Sequence, residues 1–376
     1  MSTHGSIPMT PRRPVSRRDF LRPNTLGRQA GGARKPDAAV TGAFDLLRAT
    51  RPAMGSTFEV RLPAHTPGAL ELASRALDRV DVLEAQMSIY RDDSELSILN
   101  ATADRRPVRV EHGLFNLLRL ADEIAVETDG AYDAASGALS MAWGFVRGPK
   151  RVPNVEALAA ARACSGRAHW RLDPERRTVA FDRHGVVVNL GGIGKGYAID
   201  QAAEVARGHW FPTSALIHGG RSSLFALGRC PGASDGRWRV AVRNPFDPER
   251  PVGEVRLRDR AIGTSGAAFQ SFEADGRVYG HILDPRSGVP AEPKAASVTV
   301  LAPSAAAADA LSTAFYVLGP DASRPYLAAH PEVAVIFLLA GDDLTKPRLL
   351  AANLAEDAFE PTRGLLVENL LTTETA

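Results

Sequence analysis

Three short segments of this chain carry side chains whose types and spacing suit chemistry on a phosphate. The first is Asn189-Leu-Gly-Gly-Ile-Gly-Lys-Gly-Tyr-Ala-Ile-Asp200, with four glycines and one lysine between an apolar run and a helical pattern. Such a loop lets backbone N–H groups and the Lys195 ammonium come close to an anion. The second is Ala308-Asp-Ala-Leu-Ser-Thr-Ala-Phe315, where Asp309 and Thr313 stand four apart and share one face of a helix. A carboxylate beside a neutral hydroxyl oxygen is a partial shell for a hard cation such as Mg²⁺, which phosphates and a backbone carbonyl such as that of Gly194 would complete. The third is Tyr279-Gly-His-Ile-Leu-Asp-Pro-Arg-Ser-Gly288. His281 or Asp284 there can take a proton from an attacking hydroxyl, and Arg286 can neutralise phosphate charge through its fork of donors. The tight polar loop Gly263-Thr-Ser-Gly266 adds Ser265 to the same inventory.

Each segment also has an ordinary structural reading. The glycine loop can be a bare strand–helix connection, Asp309 can pair locally, and His281 can be a strand histidine. The loop lacks the Gly-x-Gly-x-x-Gly spacing of dinucleotide-binding folds. It also fails the nucleoside-triphosphatase loop pattern, because Gly196 follows Lys195 where Ser or Thr is required. Within a helix each glycine would cost roughly 0.5–1 kcal/mol, so Gly191, Gly192, Gly194 and Gly196 are expected to serve positive φ and an unobstructed backbone.

The elements that must position these groups follow from periodicity. Alternation predicts strands at 58–62, 186–188, 215–217, 238–242, 252–257, 278–283, 298–301 and 333–339. Apolar residues at helical spacing predict helices over 68–88, 111–127, 198–206 and 305–318. Many short, antiparallel-looking strands with a few long helices indicate an α+β fold, with mixed or antiparallel sheets against packed helices. One domain is expected from about 50 to 375.

The formal net charge of +2 hides an asymmetry, since residues 1–36 carry eight Arg or Lys against the single acid Asp19. That leaves the body acidic and argues against nucleic acid as a partner. Residues 1–45 read as a disordered basic tail or a degenerate signal. Ser16-Arg-Arg-Asp-Phe-Leu21 has the look of a twin-arginine export motif, yet Arg22, Pro23, Asn24, Arg28, Arg34 and Lys35 interrupt the apolar stretch that should follow. The motif points to export and the interruption to the cytoplasm, so localisation stays open. No apolar run spans a membrane. Cys164 and Cys230 lack metal-ligand spacing.

Taken together, these segments resemble the FAD:protein FMN transferases, the flavin transferases formerly called thiamine-biosynthesis lipoproteins. The resemblance spans about 52–345. It adds Met54-Gly-Ser-Thr57, the run from Met87 to Asn100, Thr128-Asp-Gly-Ala-Tyr-Asp133 and Ala142-Trp-Gly-Phe145 to the motifs above. It implies a flavin-transferase fold resembling the T-fold, and a Mg²⁺-dependent transfer of FMN from FAD to a Thr or Ser hydroxyl of an acceptor protein, with release of AMP. It further implies Gly194, Asp309 and Thr313 as metal ligands and Lys195 near the diphosphate or the adenosine end. His281 or Asp284 would handle the proton. Met54, Tyr90, Asp133, Asp200, Ser265 and Arg286 would lie around the FAD.

Three departures from the family pattern stand out: Asn189 in place of an acid, Arg221 in a lengthened 217–223 segment, and Ala267 where an acid is usual. His218 and Arg221 are expected either to rebuild the ribose or adenine side of the pocket or to weaken FAD binding. FAD hydrolysis to FMN and AMP, or FAD binding without catalysis, are the rival activities these departures leave open.

Overall fold

Leu46–Ala53 (β1) and Ser56–Pro63 (β2) form a hairpin closed by Met54 and Gly55. Both turn residues have positive φ (50° and 68°), as a two-residue turn between right-twisted strands requires. The computed structural model describes residues 45–211, 213–266, 271–341 and 347–372. The basic tail, the twin-arginine-like motif and Ala267 lie outside these residues.

The hairpin opens a nine-stranded sheet that continues through Ala215–Gly219 (β6), Ser223–Leu227 (β7), Arg260–Gly266 (β10), Ser297–Ala302 (β15), Ala334–Leu339 (β16), Arg348–Ala352 (β17) and Val367–Asn369 (β19). All neighbours in it are antiparallel except β17 and β19. Strand alternation sends Phe58, Val60, Ile217, Val298, Val300, Val335 and Phe337 to one face. There they meet the helices Ala69–Met87 (α1), Gly194–Arg207 (α6) and Ala305–Ala329 (α7). The other face presents Leu216, Ile262, Leu301, Ile336 and Leu338. A small sheet of Trp238–Val242 (β8), Gly253–Leu257 (β9) and Phe359–Pro361 (β18) covers it, with Trp238 fully buried.

The remaining helices are Glu95–Thr102 (α2), His112–Glu127 (α3), Gly137–Ala142 (α4) and Val155–Ala163 (α5). Val108–Arg109 (β3), Trp170–Asp173 (β4) and Thr178–Phe181 (β5) make a third sheet. Two hairpins, Ser271–Ala274 (β11) with Arg277–Gly280 (β12) and Leu283–Asp284 (β13) with Val289–Pro290 (β14), complete the α+β architecture.

Four expectations need correction. Val186–Val188 is extended but joins no ladder: Asn100 brackets Val188 through its N–H (2.8 Å) and its carbonyl (2.9 Å), and Gly137 N–H bonds the Val187 carbonyl. The side-chain amide supplies what a neighbouring strand would have given. Helix α6 begins at Gly194, so Gly194 and Gly196 lie inside its first turn. The 278–283 strand is broken at His281 and Ile282. Finally, α7 runs past Leu318 to Ala329 across a kink at Gly319, where φ is 77° and Pro320 follows.

Candidate active site at the facing ends of two helices

None of the four loop glycines has positive φ. At Gly196 and Gly192 their use is close approach. A Cβ on Gly196 would lie 2.0 Å from the Ala305 carbonyl oxygen, so α6 and α7 touch through bare backbone there. That contact lets Gly196 N–H donate to Asp309 Oδ2 at 2.9 Å, with Lys195 Nζ 3.4 Å from the same oxygen. The Ser223 hydroxyl donates to the other oxygen, Oδ1. Asp309 is thus a buried carboxylate with a donor on each oxygen.

One turn further along α7, the Thr313 hydroxyl bonds back to the Asp309 carbonyl (3.3 Å) and lies 3.2 Å from Ser265 Oγ. Ser265 also meets Ser312 Oγ at 2.9 Å. Among the loop glycines, the Cβ side of Gly192 faces this hydroxyl. A Cβ on Gly192 would come 3.8 Å from Thr313 Oγ1 and 3.1 Å from the Tyr132 ring, whereas one on Gly194 would face Leu190 and Met87. Tyr132 Oη is buried without a hydrogen-bond partner, and burial, with Asp133 and Asp309 nearby, pushes its pKa up. It therefore stays a neutral donor.

Among the described residues no three His, Cys, Asp or Glu side chains cluster around a metal position. The donors present are one carboxylate and neutral hydroxyl oxygens beside a glycine cradle and an orphaned phenol. That set fits a hard cation whose remaining ligands come from backbone, water or ligand phosphate.

His281, Asp284 and Arg286 form a second group. The guanidinium of Arg286 grips Asp284 in a fork, Nε to Oδ1 at 2.9 Å and Nη2 to Oδ2 at 2.8 Å. Burial pushes Asp284 up, but these bonds outweigh it and hold the carboxyl below its ordinary range. The His281 ring sits edge-on to Phe145, with centroids 6.4 Å apart. The 128–133 turn links the two groups: Gly130 abuts the Arg286 stem at one end, and the Tyr132 ring abuts Gly192 at the other.

Other sequence candidates have structural duties. Both Asp200 oxygens accept from the first amides of α7, Ala305 (2.7 Å) and Ala306 (2.9 Å). Asp200 lines a separate cavity of about 280 Å³ with Tyr197, Arg207, Phe225 and Ser304. Burial raises its pKa to about 7 against the pull of those amides. Asp133 accepts from Ala135 and Arg167 amides, and burial raises it too. Met54 N–H donates to Glu84 at 2.7 Å. Tyr90 is exposed on the turn after α1.

His218 points away from the Asp309 site. It shares strand parity with Leu216, so it faces the sheet side away from α6 and α7, where Nε2 pairs with buried Glu59 at 3.2 Å. The sequence does not single out Ser223; it places Tyr132 in the 128–133 motif and Gly192 in the glycine loop without giving either a role in the site.

The fold assigns a class first. The chain superposes on the solved structures of the ApbE protein of Thermotoga maritima (TM-score 0.72, 26% identity, 85% of this chain and 97% of that one) and of the flavin transferase ApbE of Vibrio cholerae (0.70, 28%, 85% and 97%). The chain belongs to the ApbE family, whose profile matches residues 54–337. It is 34% identical over 301 residues to the FAD:protein FMN transferase of Treponema pallidum, covering 76% of this chain and 82% of that one. With the transferase of Vibrio cholerae it shares 33% over 319 residues, covering 82% and 90%. The family expected from the motifs is the family found.

Proposed function

We infer that this chain is a Mg²⁺-dependent FAD:protein FMN transferase. The observation that carries the reading is the Asp309 carboxylate, held by Lys195, Gly196 and Ser223 beside the Thr313 and Ser265 hydroxyls. Asp309 and Thr313 would hold the cation, with the Gly194 carbonyl as the backbone donor. When bound, the cation neutralises diphosphate charge as it builds.

The rest of the chemistry falls to the chain itself. In the transfer, an acceptor Thr or Ser oxygen bonds to the FMN phosphorus, the P–O bond to the AMP phosphate breaks, and the hydroxyl proton must be taken up. Lys195 sits where it can steady the diphosphate. Arg286, pre-oriented by Asp284, offers donors to phosphate. His281 is the better proton acceptor, because Asp284 is committed to Arg286. A loose phosphoryl-type transition state asks more of positioning and charge than of a strong base.

The test is incubation with FAD, Mg²⁺ and a peptide containing Asp-x-x-Ser/Thr-Gly-Ala-Thr/Ser. An FMN mass gain on the peptide, lost in Asp309→Ala, supports the reading. AMP release that needs no peptide would make the chain a hydrolase. Stable FAD at every Mg²⁺ concentration would make it a binding protein.

A further inference from the structure

Ser223 stands in a cross-strand row whose two neighbours are glycines, Gly219 on β6 and Gly263 on β10. The Gly263 position is bare because α7 presses on it: a Cβ there would lie 2.3 Å from the Ala308 carbonyl and 2.6 Å from Asp309 N. On the other side, a Cβ on Gly219 would meet the Phe58 ring at 3.0 Å. Beside Ser223 the row is thus bare, at Gly263 to admit α7 and at Gly219 to admit the Phe58 ring, and the one hydroxyl between them is buried and donates to Asp309 Oδ1. Space-filling alone would call for alanine or glycine, as in the rest of the contact.

A carboxylate turns easily about its terminal torsion. With Gly196 N–H and Lys195 Nζ on Oδ2 and the Ser223 hydroxyl on Oδ1, its plane is fixed, and Oδ1 keeps a lone pair for another partner. Ser222 Oγ, 3.2 Å from Ser223 Oγ, supports that hydroxyl in turn. We propose that Ser223 is a positioning residue that sets the Asp309 carboxylate for cation binding. The inference rests on the cation reading above.

Mn²⁺ serves as the probe, titrated by electron paramagnetic resonance into the full chain without FAD, for wild type, Ser223→Ala, Ser223→Cys and Asp309→Ala. Ser223→Ala removes the donor without opening a large void, and Ser223→Cys keeps the volume with a poor donor. Both are expected to bind Mn²⁺ about 10- to 100-fold more weakly than wild type. They should raise the Mg²⁺ concentration needed for half-maximal turnover while leaving FAD binding in chelator unchanged. If either folded variant binds Mn²⁺ like wild type, Ser223 is not a positioning residue. If wild type itself binds no better than Asp309→Ala, the cation reading fails and takes this inference with it.

Discussion

Gly196 and Asp309 are joined by a 2.9 Å hydrogen bond from the backbone of α6 to the carboxylate of α7, and Asp200 returns the favour by accepting from the first two amides of α7. The two helices therefore hold each other through reciprocal carboxylate–amide contacts. Each helix N-terminus supplies donors with partial positive charge, which suits a carboxylate. The device fixes Asp309 relative to the glycine loop and leaves Lys195 a quarter exposed at its rim.

Gly196→Ala tests that device. The new methyl would meet the Ala305 backbone at 2.0 Å, and backbone cannot rotate away as a side chain can. The helices must separate, at a cost of about 3 kcal/mol, and the bond to Asp309 lengthens. Urea unfolding should show a lowered midpoint, and FMN transfer should fall with it. Wild-type stability in this variant would disprove the close-approach account.

Asp200 gives a pH prediction. Its folded pKa of about 7 lies above its ordinary 3.8. The carboxyl's contribution to stability is thus full below 3.8 and is lost as pH rises through about 7, because the unfolded chain releases the proton first. Wild type should lose roughly 2 kcal/mol from this group between pH 5 and pH 8. Asp200→Asn cannot titrate, so its thermal midpoint should change less over that window. Parallel curves for the two proteins would remove the assignment.

Why one part of the site could be read from the chain and another could not is a matter of range. Asp309 and Thr313 were legible because helical spacing fixes their shared face, and Lys195 because its glycines mark a loop meant for close contact. The reading of those glycines holds in one half: Gly196 offers the unobstructed backbone that admits α7, whereas the positive φ that local sequence suggests occurs at none of the four. Strand 186–188 failed for a similar reason, since nothing local reveals that Asn100 replaces a neighbouring strand. Ser223 and Tyr132 reach the site only through sheet register and the 128–133 turn. His218 looked like a site residue until register put it on the opposite face of the sheet.

That opposite face carries its own prediction. Buried Glu59 is met by Arg48, Arg61 and His218. Burial pushes its pKa up, but the hydrogen bonds from His218 and Arg61 prevail and hold it at about 2, against an ordinary 4.5. Its contribution is present above 4.5 and lost as pH falls through about 2. Glu59→Gln leaves the arginines facing a neutral group. Because Arg48 can turn to water, the expected loss at pH 7 is about 2 kcal/mol, less than for a fully buried pair. Denaturant titration at pH 7 and pH 3 checks it: the difference between the two proteins should narrow in acid.

Asp284→Asn separates two roles for the second group. If Asp284 took the acceptor proton, losing its charge would cut kcat by about 100-fold or more and shift the acid limb of the pH–rate profile. The structure instead commits both its oxygens to Arg286, at 2.9 and 2.8 Å, and those bonds hold it below the ordinary carboxylate range. A carboxylate so engaged is a weak base, and its contribution is to aim the guanidinium. The asparagine keeps one acceptor, so Arg286 loosens without being released. The expected result is a KM for FAD raised about tenfold, with kcat reduced only a few-fold, and an acid limb that stays in place. His281→Ala should do the reverse, lowering kcat for transfer to peptide with little change in FAD binding. A collapse of kcat in Asp284→Asn with a displaced acid limb would return the base role to Asp284.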